Sequence, residues 1–172
     1  MHEDQRITEE FSLVPAAGGG FGAWTTALAR KLDRLVEVGA HCVIVECDDP
    51  SCYVQLLATP AGTIAEAVSN VYLRDSGATI DADQERALVT LGWDEPTPPC
   101  EGDTCSSEDH GHNWTTDFPD PTRARAIARL LTETLVGAYG VTETDLLTVK
   151  VFPAFWRVWR WDDERGLVHV EP

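Results

Sequence analysis

The stretch HCVIVECDDPSCYVQLLATPAGTIAEAVSNVYL, residues 41–73, decides the fold. Three runs within it, 41–47, 52–58 and 63–73, are rich in Val, Ile, Tyr and Leu. They are separated only by Asp48-Asp49-Pro50-Ser51 and Pro60-Ala61-Gly62. Connections this short and this rich in turn formers cannot carry a crossover, so the runs are predicted to pair as an antiparallel meander. In the second run Tyr53, Gln55 and Leu57 share one side and Cys52, Val54, Leu56 and Ala58 the other, because successive side chains of a strand point to opposite faces. In the third, Ile64 alternates with Ala65 and Glu66 with Ala67, leaving one face half apolar. That pattern predicts a sheet covered on one side and open on the other.

Helical spacing surrounds this sheet. Phe21, Trp24, Leu28, Leu32, Leu35 and Val36 form one apolar stripe, Arg30, Lys31, Asp33, Arg34 and Glu37 lie opposite it, and Gly39 is the stop. Upstream, residues 1–20 show little periodicity and end in Gly18-Gly19-Gly20, which predicts a flexible N-terminal arm. Downstream, Asp81 with Gln84 three residues later has the spacing of a capping box for a helix running to Leu91 and stopping at Gly92. Asp120-Pro121 opens a further helix with the stripe Ala124, Ile127, Ala128, Leu131, Leu135 and Ala138, ended by Gly140. Thr142 to Leu147 is expected to add a helical turn. From Val149 to Trp161 the chain is dense in β-branched and aromatic residues, and 162–166 can turn it back into Leu167 to Val170 as a terminal hairpin. The expected organisation is an arm at 1–20, one α+β domain at 21–148 and an aromatic extension at 149–172.

Residues 94–120 differ from all of this, with eight acidic residues, four Pro and no Lys or Arg. Such a segment buries too little apolar surface to offset its ordering entropy, so a long loop is expected. Inside it Cys100, Cys105, His110 and His112 supply the thiolates and imidazoles that a structural zinc takes in a tetrahedral site, and a metal would order the loop. Their C-x4-C-x4-H-x-H spacing is not that of the common zinc motifs. An acidic loop that binds nothing remains the alternative, and no other cofactor is indicated. Cys47 and Cys52 flank the turn at 48–51 and can face each other across a hairpin, although buried thiols more often act as small hydrophobes.

The chain has 172 residues, with 13 Lys and Arg against 29 Asp and Glu, for a formal charge of −16. That charge opposes binding to duplex nucleic acid, whose affinity comes largely from neutralised phosphates, and to anionic membranes. No apolar run approaches the roughly 18 to 20 residues that span a bilayer, and Met1-His2-Glu3-Asp4 lacks an export pattern, so a cytoplasmic protein is expected. Five cysteines without such a signal suit free thiols or a metal better than a disulfide framework. The nucleophile elbow, the phosphate-cradling loop, the H-E-x-x-H zinc motif and the dinucleotide fingerprint are all absent, which argues against an enzyme, although a site assembled from distant residues would leave no such trace. The tail places Trp156, Trp159 and Trp161 among Arg157 and Arg160. That is the composition of an anchor-rich interaction surface, with Trp156 and Trp159 as candidate partner contacts, or equally of a strand completing the core.

Taken in order, Tyr53-Val54-Gln55-Leu56-Leu57, then Ala65-Glu66-Ala67-Val68-Ser69-Asn70 with Tyr72-Leu73, then Leu91-Gly92-Trp93, Asn113-Trp114 and Ala138-Tyr139-Gly140-Val141 resemble the TY-Chap domains of actinobacteria. These are proposed relatives of type III secretion chaperones and YbjN proteins. The resemblance implies an α+β fold with a three-stranded or larger antiparallel meander and helices on one face. It further implies homodimers, a client protein or peptide as partner, and no catalytic residue. On that basis Tyr53, Gln55, Glu66 and Asn70 are the expected client contacts.

Overall fold

The computed structural model describes residues 9–73, 77–96, 113–120 and 122–154, together with the backbone of 158–162 and 166–170. The meander forms as β2 (His41–Asp48), β3 (Ser51–Thr59) and β4 (Gly62–Ala67), with Asp48 opposite Ser51 and Thr59 opposite Gly62 at its two turns. The third strand stops at Ala67, short of the expected Leu73. There Asn70–Leu73 coils into a single helical turn, α2, because Ser69 O accepts from both Tyr72 N and Leu73 N.

Three strands beyond the meander widen it into a six-stranded antiparallel sheet, β1-β6-β2-β3-β4-β5. β6 (Leu147–Pro153) lies against β2, which corrects the expectation that Val149 onward belongs wholly to a terminal hairpin. Leu147, Val149 and Val151 are buried and alternate with half-exposed Thr148, Lys150 and Phe152, so this segment completes the covered face of the sheet. The hairpin itself forms from what remains, β7 (Val158–Asp162) and β8 (Gly166–Val170), as a separate two-stranded sheet with β8 close to β4. β1 (Glu9–Leu13) is cut from the expected arm. It pairs with β6 and is tied down by the Lys31–Glu9 ion pair and by a 3.1 Å hydrogen bond between Ser12 Oγ and Thr148 Oγ1. β5 (Trp114–Phe118) is cut from the expected loop, pairing with β4.

Among the described residues, helices cover one face of the sheet. α1 (Gly20–Val38) contributes Trp24, Leu28, Leu32 and Leu35, and α4 (Ala124–Glu133) contributes Ala124, Ile127, Ala128 and Leu131. They meet at a 2.8 Å hydrogen bond between the hydroxyls of Thr25 and Thr132. Beneath them lie Val43, Val45, Val54, Ala65 and Ala67, none more than 1% exposed. Each of those valines contributes roughly 1.5–3 kcal/mol on burial. α3 (Ala82–Leu91) starts on the expected capping box, with Asp81 accepting from Asp83 N and Gln84 N while Gln84 Oε1 accepts from Asp81 N. It ends at Gly92 in the left-handed conformation that glycine adopts at little cost.

The helix expected from Asp120-Pro121 begins at Ala124, with Asp120 instead accepting from Thr122 N to close a turn. It then widens at Thr134–Ala138 into a π-helical turn in which Tyr139 N donates to Thr134 O. Through this turn Leu135 and Ala138 stay in the core, and Tyr139 Oη donates to Val68 O at 2.8 Å. Trp93 Nε1, donating to Thr134 Oγ1 at 2.8 Å, fixes α3 to the same turn. Residues 142–145 make a turn closed by Asp145 Oδ2 on Thr142 N, without a helix. Among the described residues no helix is long and apolar enough to cross a membrane.

Candidate functional site

Strand alternation sends one set of side chains under the helices and the other to the opposite face, where Cys42, Ile44, Gln55, Leu57, Ile64 and Glu66 are half-buried. The register arranges that side in rows. Phe152, Cys42, Leu57, Ile64 and Asp117 lie side by side across β6, β2, β3, β4 and β5. The next row runs Glu10, Lys150, Ile44, Gln55, Glu66 and Thr115, and a third Ser12, Thr148, Glu46 and Tyr53. The surface therefore grades from an apolar row to a polar one. Cys42, Ile44, Leu57, Ile64 and Phe152 line a shallow groove of about 350 Å³, with Gln55 and Glu66 at its border.

The polar side of the groove is one connected cluster. Gln55 Nε2 donates to Glu66 Oε2 at 2.6 Å, and Asn113 Nδ2 donates to that same oxygen and to Tyr53 Oη, both at 3.1 Å. Asn113 Oδ1 in turn accepts from Ser69 N at 3.2 Å, so this buried amide anchors the start of β5 to the end of β4. Burial pushes the Tyr53 phenol above its ordinary pKa, opposed by the Asn113 amide. Further along, Lys150 Nζ donates to Glu46 Oε2 at 2.5 Å, which raises the lysine, whereas Glu66 has no cationic partner among the described residues.

Three of the four expected client contacts, Tyr53, Gln55 and Glu66, thus meet on the open face. Asn70 stands apart. Its Oδ1 accepts from Ile80 N and its Nδ2 donates to Ile80 O and Glu85 Oε1, which staples α2 to the approach to α3. It lines a second hollow of about 470 Å³ with Val71, Glu85, Arg86, Val89 and Trp114. Within that hollow Asn70 is bonded to Glu85, and Arg86 is paired with Asp83 beside it. Trp156 lies outside the described residues, as do Cys100, Cys105, His110 and His112. Trp159 is placed only by its backbone, opposite His169 in the terminal hairpin. Asn113 stands alone in a polar segment, where no periodic signal marks its role beyond its place in the Asn113-Trp114 pair.

A family model described as "T3SS (YopN, CesT) and YbjN peptide-binding chaperone 3" (TY-Chap3) matches residues 21–153, from the start of the first helix to the end of β6. The chain belongs to this family of chaperone-type domains. The match leaves β1 and the terminal hairpin outside it. No curated protein and no solved structure matches the chain.

Proposed function

We propose that this protein is a non-enzymatic, cytoplasmic chaperone or adaptor that holds an extended segment of a client polypeptide on the open face of β6, β2, β3 and β4. The observation that carries this reading is the apolar groove of Cys42, Ile44, Leu57, Ile64 and Phe152 on the one sheet face that the helices leave uncovered. Client side chains of apolar character would fill the groove, and Gln55 and Glu66 at its border, with Tyr53 on the same face beyond them, would offer hydrogen bonds. A net charge of −16 and the Glu66 carboxylate, which among the described residues is hydrogen-bonded by amides and met by no cation, favour segments that also carry Lys or Arg. Backbone pairing along the edge strand β1 offers a second means of holding a client, or of forming a homodimer, whereas β5 already exchanges backbone hydrogen bonds with Asp94 at Thr115.

Selection of a random-peptide display library on the immobilised full chain tests the proposal. Enrichment of peptides that combine apolar and basic residues is expected. Ile44→Asp and Leu57→Asp, both half-exposed on the open face, should weaken the selected peptides by about tenfold or more, the equivalent of one buried aliphatic side chain, while leaving the circular dichroism of the fold unchanged. Failure to enrich any peptide, or full affinity in both folded variants, would refute it.

A further inference from the structure

We infer that Cys47 and Cys52 are a redox-active thiol pair, which a low-molecular-weight disulfide converts into a bridge across the β2–β3 hairpin. The two residues are direct partners in the register, one step inside the closing pair Asp48 and Ser51. Both face the helix layer and are 3% and 5% exposed. Directly opposed residues of an antiparallel pair have Cα atoms about 4.5–5.5 Å apart, within the roughly 4.4–6.8 Å that a disulfide spans, so bridging needs only a small closing of the strand ends. The site lies immediately inside the exposed turn, where Cys47 Sγ donates to Asp49 O at 3.4 Å, and opening of this turn is the route by which a small reagent enters. Cys42 is excluded as a competitor within the hairpin by its position on the opposite, open face.

The chemistry is thiol–disulfide exchange. Burial holds both thiols above their ordinary pKa, so exchange starts from the opened turn. There Cys47 reaches solvent, loses its proton, attacks a sulfur of the reagent disulfide and expels the first reagent thiolate, leaving a mixed disulfide. The second cysteine loses its proton, attacks the protein sulfur of that intermediate and expels the other reagent thiolate. Both protons pass to the departing thiolates, so two protein thiols are oxidised and one disulfide is reduced to two thiols. Because the pair points away from the open face, the inference stands independently of client binding.

Incubating the full chain with oxidised glutathione, quenching with acid, alkylating and digesting with a protease that cuts after Asp and Glu provides the test, since cleavage at Asp48 separates the two cysteines unless they are bridged. The expected result is a pair of fragments held together and released by reductant, with loss of alkylation at Cys47 and Cys52 and full alkylation at Cys42. In Cys47→Ser the joined fragments should vanish, and Cys52 should be recovered alkylated or as its glutathione adduct. Recovery of both cysteines alkylated in the unmodified chain, or their linkage to Cys42, Cys100 or Cys105 instead, would overturn the inference.

Discussion

Thr63 exposes the cost of a single hydroxyl. Its side chain faces α1 and α4 among Leu32, Val36, Leu56, Ala58, Ala124 and Ile127, and Oγ1 has no hydrogen-bond partner among the described residues. A buried unpaired polar atom costs about 1–3 kcal/mol, so Thr63→Val, which keeps the volume and the β-branch, should raise the free energy of unfolding by about 1 kcal/mol in denaturant titrations. Cys52 and Tyr139 make the opposite kind of demand, since burial drives both groups well above their ordinary ionisation ranges and the folded state holds their protons more tightly than the unfolded chain. The sign follows directly. Their contribution to stability is complete below the ordinary cysteine pKa of 9.0 and is lost progressively as pH rises above it. Chemical denaturation should therefore show a level plateau to about pH 8 and a decline beyond, with Cys52→Ala reducing its early part and Tyr139→Phe its later part.

At the scale of elements, α3 is the clearest case of local chemistry fixing a boundary. Asp81→Ala removes two acceptor contacts from the first turn and should cost about 1 kcal/mol, measurable as a lower thermal midpoint, whereas Asp81→Asn should retain most of the stability. The same locality explains what could be read in the chain. The meander and α1 announce themselves through periodicity with a turn or stop within a few residues, and α3 through its capping box and Gly92. α1 and α3 stand where expected, as do the first two strands, while the third ends at Ala67 rather than Leu73. Elements defined by a distant partner do not announce themselves. β1 reads EEFSL, in which the alternation of Phe11 and Leu13 about Ser12 is too short to announce a strand, and it exists because the edge of β6 accepts it and Lys31 holds Glu9. β5 is WTTDF, of which only Trp114 is buried, and it is held by β4 and by the Asn113 amide. The π-helical turn is likewise invisible to a 3.6-residue stripe, since Leu135 and Ala138 fit either winding. In the candidate site, the alternation of β3 and β4 made the shared face of Tyr53, Gln55 and Glu66 legible. Asn70 belongs elsewhere because the strand that would have carried it to that face ends at Ala67.

Over the whole molecule, asymmetry is the dominant feature: both α1 and α4 cover the same side of a six-stranded sheet, the apolar groove lies on the other, and the chain as a whole carries a formal charge of −16. Charge of this sign should draw basic client segments from a distance, and exposed charges are screened over about 8 Å at physiological salt. Affinity for peptides selected on the protein is accordingly expected to fall as salt rises, chiefly through slower association, while the part due to the groove persists. Sheet and groove also explain why family membership extends to Pro153, since β6 supplies both Val149 and Val151 to the core and Phe152 to the groove. The most direct measurement is amide chemical-shift mapping of the labelled chain titrated with such a peptide. Perturbations should concentrate on β6, β2, β3 and β4, around Ile44, Gln55, Leu57, Ile64, Glu66 and Phe152. Perturbations confined to the hollow between α3 and β5, or to the outer surfaces of α1 and α4, would show that the open face is not where a client is held.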